Sequence, residues 1–166
     1  KELLPSLGQI QHVEMNRLNW GRFQTKISTL HSLAPHDVSI IDYLLGSFVF
    51  KDVKHSGHKF SGKVQNDRDE FEFTCNGIPV KFNLSWYYPE KVRTTAIVGT
   101  KGMLFWDEEK KTITMKTGNK KHDFTLTKTT IGGHTFISLK KNTGNPIIKC
   151  TPIEFIKFKK LINATW

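Results

Sequence analysis

The chain has 166 residues, one domain's worth of sequence, and at that length a single core can bury roughly 70% of the surface the unfolded chain exposes. Hydrophobic residues at 37% and charged residues at 24% exclude a disordered chain. No run approaches the roughly 18 apolar residues of a membrane span, and Lys1-Glu2-Leu3-Leu4-Pro5 carries no signal-peptide core. A soluble, cytoplasmic domain without a membrane partner is expected.

The net charge of +10 comes from 21 Lys and only 4 Arg (Arg17, Arg22, Arg68 and Arg93). Planar recognition of phosphate favours Arg, so the excess reads as a solvated lysine surface and no nucleic-acid partner is expected. Cys75 and Cys150 lie far apart without a C-x-x-C spacing. They read as two small buried thiols.

From Gly8 to Trp20, Ile10, Val13, Met15 and Leu18 alternate irregularly with polar residues, which predicts a first strand. From Ser28 to Leu45 the apolar residues step by three and four and stop at Gly46, which predicts a helix. Pro35 cannot donate an amide, so the regular helix is expected to begin near Leu33 to Pro35. The period then becomes two, with strands predicted at Phe48 to Lys54, His58 to Gln65, Glu70 to Cys75 and Ile78 to Trp86. Asn76-Gly77 is a strong hairpin signal, and Pro79 suggests a late strand start or an edge. Further strands follow at Arg93 to Val98, Met103 to Trp106, Thr112 to Lys116, Asp123 to Thr127 and Thr135 to Leu139, joined by short turns. Thr151-Pro152-Ile153-Glu154 reads as the capped start of a closing amphipathic helix. The expected fold is α+β, an open, mainly antiparallel sheet with helices packed on one face, in a single domain over residues 1–166.

Three stretches, in order, resemble one family. Ser32-Leu33-Ala34-Pro35-His36-Asp37-Val38-Ser39-Ile40, running on to Tyr43-Leu44-Leu45-Gly46, is similar to the start of the C-terminal domain of the Gfo/Idh/MocA oxidoreductases. Ser85-Trp86-Tyr87-Tyr88-Pro89-Glu90-Lys91-Val92-Arg93, with Val98-Gly99-Thr100-Lys101-Gly102-Met103-Leu104, resembles that domain's central hairpin. Thr143-Gly144-Asn145-Pro146 and the helix from Thr151 resemble its closing helix. The resemblance implies a substrate-binding and oligomerisation domain of an NAD(P)-dependent sugar oxidoreductase, acting on a sugar or sugar-nucleotide and self-associating through its sheet face. NAD or NADP would be bound mainly by a separate N-terminal Rossmann domain, and the 166 residues contain no G-x-G-x-x-G opening a strand-turn-helix unit. The chain alone is expected to be inactive, with the Rossmann domain in cis or as another polypeptide.

Oxidising a sugar carbinol needs a base for the hydroxyl proton, and histidine suits the task because it titrates near neutrality. The family motif sets an acid four residues before a histidine. The histidine matches as His36; the acidic position is Ser32, which can hydrogen-bond a sugar hydroxyl but cannot support an imidazolium electrostatically. His36 is thus the catalytic candidate, with Ser32 and Arg17 as substrate contacts. Arg17 reads equally as a partner for an anionic sugar group or as a surface charge on a strand. Asp37 reads as charge compensation at a helix N-terminus. His55 and His58 have H-x-x-H spacing but lie in a lysine-flanked, glycine-containing segment, which reads as a solvated turn, and no metal is expected. Trp86 continues a buried alternation, whereas Phe105 and Trp106 must face opposite sides of a strand. The rival reading is a non-catalytic binding or assembly module, a relic of such an enzyme, motivated by Ser32 and the missing cofactor half.

Overall fold

The computed structural model describes residues 1–21, 26–46, 49–62, 65–131 and 134–142. Pro5 sits in the first turn of a short 3-10 helix, Leu4–Leu7, which ends at Gly8 with a φ of 72°. Strand β1 therefore begins at Ile10 and runs Ile10–Trp20, with Val13, Met15 and Arg17 buried at alternate positions.

Helix α1 spans Thr29–Leu45, so it starts well before the predicted Leu33 to Pro35 and carries Pro35 inside. Pro35 withholds the one bond that its amide would give to His31. The extra turn is held from outside the helix. Asp69, forty residues further on, accepts hydrogen bonds from the Thr29 hydroxyl and, at 3.0 Å, from the Leu30 amide. Ser28, at the N-cap position, makes no side-chain cap bond, so a carboxylate from the sheet does the capping. Gly46, with a φ of 83°, ends the helix as expected. Asp37 lies mid-helix rather than at its N-terminus, so dipole compensation is not its role.

The remaining strands are β2 (Phe50–His58), β3 (Arg68–Cys75), β4 (Ile78–Ser85), β5 (Tyr87–Gly99), β6 (Gly102–Asp107), β7 (Thr112–Thr117), β8 (Lys120–Ile131) and β9 (His134–Lys141). The predicted pair Phe48 to Lys54 and His58 to Gln65 is replaced by the single strand β2. A register shift between Lys51 and Lys54 bends it, with Asp52 at a φ of 53°. β2 ends at His58, whose carbonyl accepts a hydrogen bond from the Asp67 amide at 2.8 Å. Asn76 and Gly77 have φ values of 51° and 80° between paired Cys75 and Ile78, the two-residue primed turn that this dipeptide favours.

The strands form one sheet in the order β2-β3-β4-β1-β5-β6-β7-β8-β9. β1 is inserted between β4 and β5 and pairs with β4 in parallel, while the other pairings are antiparallel. The sheet is therefore mixed, and its edges β2 and β9 are not paired to each other, so it is open. Pro79 falls just before the β1 pairing begins at Val80, where its missing amide costs no bond to β1.

One face carries the core. Val13 and Met15 of β1, Phe73 and Cys75 of β3, Val80, Phe82 and Leu84 of β4, and Ile97, Leu104 and Met115 of the meander form one cluster with Leu33, Ala34 and Ile41 of α1. Each of the Val, Leu, Ile, Phe and Met side chains contributes about 1.5–3 kcal/mol by leaving water. Cys75 and Trp86 are buried, as expected, and Trp86 donates its amide to the Asp67 carbonyl at 2.8 Å. On the opposite face Val98, Met103 and Phe105 of β5 and β6 are exposed, while Trp106 packs against the core. Cys150, Thr143 to Pro146 and the predicted helix from Thr151 lie outside the described residues. Among the described residues no helix is long and apolar enough to cross a membrane.

Candidate active site

Ser32 and His36 stand one helical turn apart on α1, so their side chains share a face. Ser32 is half-buried and His36 exposed. Pro35 does not unwind the turn between them and the next, and the Ser39 hydroxyl donates to its carbonyl at 2.7 Å.

Beneath this turn lies a buried ion-pair network. Arg17 of β1 is 3% exposed and Asp37 of α1 is 2% exposed. The Arg17 Nε and Nη2 both donate to Asp37 Oδ1, at 2.9 and 2.7 Å. The same Nη2 donates to Glu108 Oε1 at 3.1 Å, from the turn between β6 and β7. Asp37 Oδ2 is buried without a hydrogen-bond partner. Arg93 sits directly across from Arg17 in the β1–β5 register. Its Nε is 3.2 Å from Glu109 Oε1, an ion pair without hydrogen-bond geometry, and Lys91 reaches the same oxygen at 2.9 Å. The Glu108 amide donates to the Arg93 carbonyl at 2.9 Å, fixing the turn to β5.

The electrostatics follow from this placement. Partial desolvation at the protein surface, then the positive charges of Arg17 and Arg93, push the His36 imidazole below its ordinary pKa, and Glu108 opposes them. Burial pushes the Asp37 carboxyl above its ordinary value despite Arg17. Burial also works against the charge on Arg17, but its bonds to Asp37 and Glu108 prevail and hold it more firmly protonated.

Arg17 is thus neither a surface charge nor a free arm: two of its nitrogens are already committed to carboxylates. Arg17, Arg93 and Glu108 lie near enough to His36 to act on its charge, and Ser32 stands one helical turn before it on α1. Glu108 stood in sequence as one residue of the turn Asp107-Glu108-Glu109-Lys110-Lys111, with no signal linking it to a helix seventy residues earlier.

A second polar centre holds the start of α1. Asp69, 1% exposed, accepts from Thr29, Leu30, Asn66 Nδ2 at 2.8 Å and His55 Nε2 at 2.7 Å. Burial would raise its pKa, but these donors outweigh it and bring it below the ordinary value. His55 lies on strand β2, stacked on Phe71 at 4.3 Å, not in a turn. His58, three residues along the same strand, is paired with Arg68 and so falls on the other side of the sheet from His55, and the two imidazoles do not converge.

A nicotinamide dinucleotide needs backbone amides at a helix start for its pyrophosphate. Here the Leu30 amide is taken by Asp69, whose charge would repel a phosphate. The start of α1 is therefore not a pyrophosphate site.

No protein-family model matches the sequence, and no curated protein matches it. Solved structures do match, and they are Gfo/Idh/MocA-type oxidoreductases. The chain shares their fold. UDP-N-acetylglucosamine 3-dehydrogenase from Acidithiobacillus ferrooxidans superposes with a TM-score of 0.66 and 19% identity over 76% of this chain and 42% of that one. A second crystal form of the same enzyme covers 98% of this chain and 48% of its own, with a TM-score of 0.63 and 17% identity. An inositol dehydrogenase homologue from Azotobacter vinelandii, complexed with NADH and myo-inositol, gives a TM-score of 0.62 and 14% identity over 74% and 37%. The chain spans less than half the length of these enzymes.

Proposed function

We propose that the chain is the substrate-binding and oligomerisation domain of an NAD(P)-dependent sugar oxidoreductase, working in the cytoplasm with a separate Rossmann domain that binds the dinucleotide. The observation that carries the reading is the pairing of Ser32 and His36 on the open side of α1, above a buried charge network, in a fold shared with sugar and inositol dehydrogenases. In this reading His36 accepts the proton of a sugar hydroxyl at an unprotonated ring nitrogen. Ser32 exchanges a hydrogen bond with a neighbouring hydroxyl. Arg17, closed off by Asp37 and Glu108, holds α1 in place beneath the substrate rather than meeting an acidic substrate group itself. The apolar strip Val98, Met103 and Phe105 faces a second copy.

The test is direct. Myo-inositol, UDP-N-acetylglucosamine and related sugars are titrated against the purified chain while the His36 ring resonances are followed, and NADH is added separately in a thermal-shift assay. Sugar-dependent shifts at His36 without NADH stabilisation support the reading. NADH binding by this chain alone, or indifference of His36 to every sugar tested, would sink it. The second reading, a non-catalytic assembly module, is favoured by Ser32 standing where the motif carries an acid. Self-association without any sugar response would select it.

A further inference from the structure

We propose that Arg93 is the anion-binding residue of the candidate site, taking through its guanidinium the acidic group, carboxylate or phosphate, of a charged sugar. The inference rests on reading the turn of Ser32 and His36 as a sugar site, and it moves to Arg93 the anionic contact that the sequence suggested for Arg17. The two arginines stand opposite each other across β1 and β5, so their side chains leave the same face of the sheet, the one on which Arg17 reaches Asp37 of α1. Like charges set directly across a strand pair destabilise it unless other groups answer them. Here they are answered unequally.

Arg17 is 3% exposed, and its single charge meets two carboxylates, Asp37 and Glu108. Around Arg93 the balance is reversed, because Glu109 Oε1 serves both Lys91 at 2.9 Å and Arg93 at 3.2 Å. The Arg93 contact lacks hydrogen-bond geometry. Its Nε is buried without a hydrogen-bond partner, and the guanidinium makes no hydrogen bond among the described residues. Yet the side chain is 27% exposed, so its outer nitrogens can be reached from solvent. Its charge acts on both His36 and Asp37, which sets it beside the candidate base. A guanidinium in this state offers paired N–H donors at the spacing of two oxygens of a carboxylate or phosphate. When such a group arrives, Lys91 retains Glu109, so the displaced carboxylate is not left without a cation.

The experiment titrates glucose, glucuronate and glucose-6-phosphate into the purified chain at fixed ionic strength, following the Arg93 Nε–H and His36 ring resonances together. An acid should move the Arg93 resonance and glucose should not. A response to glucuronate alone assigns a carboxylate, a response to glucose-6-phosphate alone assigns a phosphate, and either supports the proposal. By calorimetry, Arg93→Gln should weaken binding of that acid about tenfold, and Arg93→Lys, which keeps the charge without the planar fork, should not restore it. Glu109→Gln removes the competing carboxylate and should tighten binding about threefold. Thermal midpoints are recorded for each variant, and opposite effects of Arg93→Gln and Glu109→Gln cannot both come from a damaged fold. An Arg93 resonance unmoved by both acids overturns the proposal, and so does acid binding that a folded Arg93→Gln leaves intact. If Arg93 answers an acid while His36 answers no sugar, the anion site stands and the sugar-oxidoreductase reading falls. If His36 answers glucose while Arg93 ignores both acids, that reading stands and the anion site falls.

Discussion

Arg17 and Asp37 show how one buried pair ties the sheet to the helix that carries the candidate base. The guanidinium is shut away from water and offsets that cost only through its bonds to Asp37 and Glu108. Removing one partner leaves the other charged and alone, whereas replacing both with apolar groups of similar size leaves neither stranded. Arg17→Met should thus lose about 3–5 kcal/mol of stability in urea unfolding. Arg17→Met combined with Asp37→Leu should recover most of that loss. A double variant as unstable as the single one would mean that the site depends on shape at these positions and not on charge balance. The same scale separates what the sequence disclosed from what it hid. Ser32 and His36 could be singled out as candidates because they stand four residues apart in a recognisable motif. Glu108 could not, because it reaches Arg17 across ninety-one positions of sequence through a turn, and a turn's composition says nothing about what stands above it.

Helix α1 owes its first turn to Asp69 on β3, a cap contributed by another element. This explains why Pro35 misled the reading of its start: local propensity assigns the helix to the residues after the proline, and a tertiary contact forty residues away overrides it. Asn76-Gly77 succeeded for the converse reason, since the positive φ at both residues is a property of the dipeptide itself. The parallel pairing of β1 with β4 had no local signature at all; alternation reports which face is buried but not which strand lies alongside. Asp69→Ala should cost roughly 3 kcal/mol, because it strands the Leu30 amide and the Thr29 hydroxyl together. Its pKa lies below the ordinary 3.8 in the folded protein. The unfolded chain therefore takes up the proton first, and the stabilisation, fully present above that ordinary value, is lost as pH falls through the depressed one. Acid titration of the helical far-ultraviolet signal should show the wild type losing stability in this window and Asp69→Ala losing less, provided both start folded. A wild-type curve flat through that range would assign the capping bonds to a neutral carboxyl.

At the scale of the molecule, the sheet is two-faced in an unequal way. α1 and the apolar cluster occupy one side, while Val98, Met103 and Phe105 leave roughly a third or more of their surfaces open on the other, at 37%, 36% and 39%. The strip is continuous, because Val98 pairs with Met103 and Ala96 with Phe105 across β5 and β6. Lysines lie near it without breaking it: Lys116 is opposite Met103 on β7, and Lys101 is in the preceding turn. A patch of this kind on an open sheet is stabilised by covering it, and a second copy related by two-fold symmetry presents the same strip to itself. Sedimentation across a concentration series should therefore show a wild-type dimer. Phe105→Glu should shift it to monomer by placing like charges opposite each other across the two-fold axis, with little change in monomer stability because the side chain is outside the core. The Arg17 network lies on the opposite face of the sheet, so the His36 titration midpoint should be the same in the monomeric variant and the dimer. If monomerisation moved that midpoint, the two faces would be coupled through β1 and β5, and the sheet would be part of the site rather than its support.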